Sequence, residues 1–139
     1  MRVSVNGIEI AYEEHGAGER PLLLVHGFTG FRHDFASHWE GLAQHGRVLT
    51  PDLRGHGESA KTGEVTSYSL AQLTDDLLGL LDALEIERCD LLGHSMGGML
   101  ALRAVLRAPE RIASLVLMST APGPLGFVDL SLLAMAARI

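Results

Sequence analysis

Gly93-His94-Ser95-Met96-Gly97 puts a serine between glycines at the point where a short apolar run gives way to a helical one. At a sharp strand-to-helix turn a serine hydroxyl is thrust out of the main chain, and glycines on either side let the chain turn without collision. That disposition suits a nucleophile. Attack on an acyl carbon leaves negative charge on the carbonyl oxygen, so donors must already be aimed at that oxygen. The Met96 N–H follows the serine and opens a helix whose N-terminal dipole favours an anion. The Phe28 N–H, after His26 and Gly27 in "HGFTG", is the second candidate, since glycine there admits close approach of the main chain. The competing readings are an ordinary helix start with Ser95 as N-cap, and a Phe28 side chain that fills the core instead of walling an acyl pocket.

These residues need a frame that brings distant loops together. Val3 and Val5 alternate with polar residues, Asn6-Gly7 supplies a turn, and Ile8, Ile10 and Tyr12 alternate beyond it, which predicts a β-hairpin. Leu22 to Val25 is a continuous apolar run, as in strands buried on both faces, and it ends in "HGFTG". Asp34 is expected to cap a helix carrying Phe35, Trp39, Leu42 and Ala43, with Gly46 as its stop. A brief strand from Arg47 to Thr50 is broken by Pro51 into "PDLRGHGES". Ser69 and Gln72 have the spacing of a capping box, ahead of a helix with Leu70, Leu73, Leu77, Leu80, Leu81 and Leu84.

"CDLLG" reads as the next buried strand, Met96 to Arg107 as a helix stopped by Pro109, and Ser114 to Thr120 as a further buried strand. This order predicts an α/β layer fold with a mainly parallel sheet, whose reactive site lies at the carboxyl ends of the strands. "HGFTG", "PDLRGHGES" and "GHSMGG" all fall there.

Composition limits the alternatives. The chain has 139 residues, 47% of them hydrophobic, enough for one globular domain. A formal net charge of -6 with no Lys/Arg run argues against nucleic acid and anionic membrane as partners. The single cysteine, Cys89, excludes an intramolecular disulfide and any Cys-based metal cluster, and is expected in the core. No stretch reaches the ~18 apolar residues of a membrane span and "MRVSVNGIEI" lacks a signal-like apolar region, so a cytoplasmic setting is expected.

Taken in order, "LLLVHGF", "PDLRGHGES" and "LLGHSMGG" resemble the α/β-hydrolase superfamily, in particular its esterase, lactonase and C–C hydrolase branch. The resemblance implies that Ser95 is the nucleophile and that Met96 and Phe28 donate the oxyanion-hole N–H groups. It further implies that His26 and Gly27 support the oxyanion loop, that His56 holds the "RGHG" turn, and that His94 and Gly97 flank the nucleophile. Serine departs from the aspartate that haloalkane dehalogenases and epoxide hydrolases of this superfamily place at the elbow, which disfavours those reactions. The implied fold is a mainly parallel sheet with an N-terminal antiparallel hairpin, lacking the C-terminal strands. Residues 1–120 would form the core and 121–139 the start of a lid or linker.

A serine hydroxyl needs an adjacent base, normally a histidine oriented by a carboxylate. Family members place both downstream of the nucleophile. Here no histidine follows Ser95, and the only acids after it are Glu110 and Asp129. His33, just beyond "HGFTG", is the nearest thing to a substitute base. The expectation is therefore a serine hydrolase acting on a small acyl substrate (ester, thioester or lactone) without metal or organic cofactor, its acid and histidine coming from elsewhere. The chain would be one piece of a two-chain or cleaved enzyme, or a shortened chain. Ser114–Thr120, at a bare sheet edge, would be covered by a second chain or by self-association. The alternative is an inactive hydrolase-like binding protein or an inactive fragment.

Overall fold

A computed structural model describes residues 1–122. Six strands form one sheet in the order β1-β2-β4-β3-β5-β6. Strands β1 (Arg2–Val5) and β2 (Ile8–His15) form the antiparallel hairpin, with Arg2 opposite Ala11 and Val5 opposite Ile8. Its turn residues Asn6 and Gly7 have φ of 49° and 78°, the two left-handed positions that a primed two-residue turn requires.

β2 also pairs antiparallel with β4 (Val48–Pro51), whereas β3 (Leu22–Val25), β4, β5 (Cys89–His94) and β6 (Ile112–Met118) run parallel. From β3 the chain moves to β4 on one side, then returns past β3 to β5 on the other. Strand order thus reverses between β3 and β5, and at such a point the loops leaving the two carboxyl ends diverge and open a crevice. Those two loops are "HGFTG" and "HSMGG".

α2 (Leu70–Ala83) follows the expected helical period, with Leu73, Leu77, Leu80 and Leu81 buried. The Ser69 hydroxyl caps it, accepting the Gln72 N–H at 3.1 Å, but the Gln72 side chain reaches forward to Asp76 at 3.4 Å, so only half of the capping box forms. α3 (Met96–Arg107) buries Met96, Gly97, Gly98, Leu100, Ala101 and Ala104. With Leu23, Val25, Leu49 and Leu91 of the sheet these helices build the core, each fully buried leucine contributing about 1.5–3 kcal/mol. Cys89 lies in that core, where burial pushes its thiol pKa up to about 11.

Three expectations are corrected. The segment after "HGFTG" is a 3-10 turn, Arg32–His38, followed by a five-residue helix α1 (Trp39–Ala43), in place of one helix capped by Asp34. Asp34 sits three residues inside the turn, where its carboxylate accepts the Phe31 N–H at 3.3 Å. β4 is Val48–Pro51 rather than Arg47–Thr50, and Pro51 closes the strand opposite Tyr12 instead of breaking it; Arg47, just before it, makes a two-pronged ion pair with Glu14 at 2.9 and 3.2 Å. The last described strand is Ile112–Met118, two residues earlier than expected, and its apolar run is not buried on both faces. Among the described residues β6 pairs only with β5, and Val116, Leu117 and Met118 are exposed. The lid or linker expected at the C-terminal end lies, from residue 123 onward, outside the described residues.

Candidate active site

Ser95 stands between the end of β5 and the first residue of α3 with φ 52° and ψ −117°. A non-glycine residue held in such a region costs of order 1–3 kcal/mol unless its surroundings over-determine it. Here they do. The Ser95 N–H donates to Met118 O of β6 at 2.9 Å, and Ser95 O accepts from Gly98 N, Met99 N and the Thr120 hydroxyl, at 3.0, 3.3 and 2.6 Å. An ordinary N-cap has extended backbone and a side chain bonded into the helix. Ser95 has neither, and among the described residues nothing hydrogen-bonds its hydroxyl.

The turn depends on contacts too close for side chains. A Cβ on Gly97 would lie 2.2 Å from Val25 O, so only glycine lets α3 dock on the end of β3. A Cβ on Gly27 would meet Ser95 Cβ at 3.2 Å and His94 Nδ1 at 3.3 Å, which places the loop after β3 directly against the serine.

In that loop His26 is fully buried. The Leu53 N–H donates to its Nε2 at 3.1 Å, which leaves the ring proton on Nδ1 for the Gly27 carbonyl at 2.7 Å. Burial above all, with the neighbouring His56 adding to it, pushes the His26 pKa down to about 4, so the ring is neutral at pH 7. The Gly30 N–H donates to the same carbonyl at 3.1 Å. In a trans peptide the C=O and N–H point opposite ways. Holding Gly27 O on one side therefore turns the Phe28 N–H to the other. Among the described residues neither that N–H nor the Met96 N–H meets a protein acceptor.

The loop after β4 is built on buried charge. Asp52 is fully buried and accepts the Arg32 guanidinium, the Arg32 N–H at 2.7 Å and the Glu58 N–H at 2.8 Å. Arg54 is held two-pronged by Asp76 of α2, at 2.6 and 2.9 Å. His56 contacts Arg54 O through Nδ1 at 3.0 Å and Phe28 O through Nε2 at 2.5 Å. Between this loop and "HGFTG" lies a cavity of about 270 Å³ walled by Phe28, Phe31, Gly55, His56, Gly57 and Lys61. The Ser95 hydroxyl and the Met96 and Phe28 N–H groups are thus without protein partners among the described residues, and preorganised donors of this kind are what a developing anionic oxygen requires.

A family model described as the alpha/beta hydrolase fold matches residues 20–137. The chain belongs to the α/β-hydrolase family. It is 44% identical over 110 residues to the dihydrolipoyllysine-residue acetyltransferase component of the acetoin cleaving system of Pseudomonas putida, covering 79% of this chain and 29% of that protein. It is 40% identical over 119 residues to a 2-hydroxymuconate semialdehyde hydrolase of Pseudomonas sp. strain CF600, covering 83% and 41%. Among solved structures, the enol-lactonase of Burkholderia xenovorans LB400 superposes with a TM-score of 0.82 at 34% identity, over 87% of this chain and 47% of that one. An epoxide hydrolase of Vigna radiata superposes with a TM-score of 0.85 at 29% identity, over 93% and 42%. The chain spans less than half the length of each of these relatives.

This α/β-hydrolase chain thus brings Ser95, Met96, His94 and Gly97 to one turn and sets Gly27 against it, with His26 behind Gly27 and Phe28 both in the loop and in the cavity wall. Phe28 also packs on the core, as its core reading expected. His33 lies with Phe31 and Trp39, ring centroids 5.3 and 5.4 Å away, and makes no hydrogen bond to Ser95. His56 does hold the "RGHG" turn, through Arg54 O. Its contact with Phe28 O was not legible in the sequence, nor were the bonds that Met118 and Thr120 make to Ser95. These are partners 28, 23 and 25 residues away that only the sheet order brings together.

Proposed function

We propose that Ser95 is the nucleophile of an acyl-transfer hydrolase acting on carboxylic esters, thioesters or lactones through an acyl-enzyme. One observation carries this reading: the serine is held at positive φ with its hydroxyl uncommitted, at the N-terminus of α3 and against the Gly27–Phe28 main chain. The serine oxygen attacks the acyl carbon while its proton passes to a base. The Met96 and Phe28 N–H groups and the α3 dipole stabilise the resulting oxyanion. The tetrahedral intermediate then collapses, the leaving alcohol, thiol or ring oxygen takes the proton, and water repeats the sequence to release the acid.

No histidine follows Ser95 in the sequence, and His26 is committed on both nitrogens. The base and its orienting carboxylate are accordingly assigned to residues outside this sequence. Serine at position 95 also favours acyl chemistry over epoxide opening, although epoxide hydrolases are among the relatives. The lactonase and semialdehyde hydrolase relatives support an acyl or activated C–C substrate.

A second reading, a binding protein that retains the pocket without turnover, is favoured by the missing base. Incubation with a p-nitrophenyl ester and intact mass measurement separates the two. Addition of one acyl group to the wild-type chain, absent in Ser95→Ala, supports the nucleophile. No addition to a preparation that also contains a polypeptide carrying the base supports the binding protein.

A further inference from the structure

The cavity of about 270 Å³ between "HGFTG" and the loop after β4 shares Phe28 with the proposed active site and is otherwise unused by its chemistry. Phe28, Phe31, Gly55 and Gly57 wall it, Thr29 adds a hydroxyl, and Lys61 adds an ammonium group. We propose that this cavity binds a small organic carboxylate, with the acid group paired to Lys61 and the apolar body laid against Phe28 and Phe31.

The charge pattern points to an anion. The chain has 17 acidic and 11 basic residues, yet no acidic residue lines the cavity. Lys61 is the single lysine of the chain, and among the described residues it enters no ion pair. The carboxylates beside the walls are already engaged. Asp52, which a Cβ on Gly57 would meet at 2.1 Å, accepts the Arg32 guanidinium and the Arg32 and Glu58 N–H groups. Asp34, beside Gly30, accepts the Phe31 N–H at 3.3 Å. Glu58 pairs with Arg32 at 3.2 Å and with Arg2 at 3.6 Å. These acids are answered within the protein, whereas the Lys61 ammonium is left for a ligand.

The walls describe the rest of the ligand. Phe31 is 44% exposed, so its ring offers apolar surface that a ligand would remove from water. The lysine stem is flexible and apolar, able to lie along such a wall while the ammonium meets a carboxylate in a charge-assisted hydrogen bond. His56, also in the wall, faces carbonyl oxygens with both ring nitrogens and is committed within the protein. A volume of about 270 Å³ lies just below the ~300–1,000 Å³ of pockets for drug-sized molecules, which selects an acid with one ring or a short chain.

The test uses the whole chain labelled with ¹³C at the lysine ε-carbon, so that its NMR spectrum holds one lysine signal, that of Lys61. Phenylacetate is the probe, and phenylacetamide is its neutral counterpart of nearly the same shape. Phenylacetate should shift the Lys61 signal and saturate. An exposed ion pair strengthens binding by about twofold to fivefold, so the amide should bind more weakly by that factor, and added salt should narrow the gap. Followed through the phenylalanine ring signals, Lys61→Met should bind acid and amide alike, and Lys61→Arg should keep the preference. Phe31→Ala should weaken both ligands together. Both substituted side chains are exposed, so the variants are expected to fold. A Lys61 signal that stays still or moves without saturating, equal binding of acid and amide by wild type, or an undiminished preference in Lys61→Met overturns the proposal. None of these readouts needs Ser95 to react, so the site and the nucleophile stand or fall separately.

Discussion

At the turn between β5 and α3 close backbone contacts add to main-chain hydrogen bonds, whereas in the loop after β3 imidazoles hold the carbonyls. A methyl on Gly97 would sit 2.2 Å from Val25 O, a contact that no side-chain motion relieves because the obstacle is backbone. In the facing loop, the side-chain contacts are His26 to Gly27 O and His56 to Phe28 O, both made by side chains that can be exchanged without a backbone clash. The first arrangement fixes where Ser95 stands and tolerates no added atom. The second fixes where the Phe28 N–H points through Gly27 O, and it answers to substitution and, through His26, to pH.

The largest effect expected from this contrast is that of Gly97→Ala, which should lower stability by at least about 3 kcal/mol or prevent folding, as strained overpacking against fixed backbone does. Urea unfolding reads it directly, and a loss under about 1 kcal/mol would mean that α3 does not dock on β3 as described.

Next is the pH response of the imidazole side. His26 titrates near 4 in the folded chain against an ordinary 6.5, so the unfolded chain binds more protons between those values. Its stabilising contribution is present above pH 6.5 and is lost as pH falls toward 4, by about 3 kcal/mol in all. The difference in unfolding free energy between wild type and His26→Gln should therefore shrink across that window. A difference that stays constant from pH 7 to pH 4 counts against the buried neutral ring.

A smaller effect tests the strain at the elbow. Ser95→Gly relieves the positive φ at some entropic cost, so it should be more stable than Ser95→Ala by about 1 kcal/mol. Equal stabilities in thermal unfolding would remove the strain from the account. Of similar size is Thr120→Val, which deletes the hydroxyl bond to Ser95 O and should cost about 0.5–1.5 kcal/mol in the same measurement.

The same division governs how much could be read from the sequence. Strands such as Leu22–Val25 and the leucine period of α2 announce themselves because burial demands a continuous or helical apolar pattern. The Ser95 turn was legible because close backbone approach requires glycine, and glycine shows in the sequence. The imidazole clamp was legible only in part. A histidine's type does not reveal which carbonyl 28 residues away it meets, and that depends on β4 lying beside β3. The segment after "HGFTG" was misread because Asp34 served the turn from inside, bonding the Phe31 N–H rather than starting a helix. At β6 the edge position was legible from the strand order, but the apolar run does not imply burial there, and Val116, Leu117 and Met118 are exposed among the described residues.

The central claim is that Ser95 is a nucleophile held ready by its turn and faced by two N–H donors. It is tested most directly by intact mass spectrometry of the purified chain after treatment with a fluorophosphonate, alongside Ser95→Ala. The account predicts one adduct on the wild-type chain, mapping to Ser95 and absent from the alanine variant. A second polypeptide copurifying with the labelled chain would identify a source of the base. A wild-type chain that stays unlabelled although a polypeptide carrying the base is present, or an adduct that persists in Ser95→Ala, would contradict the claim.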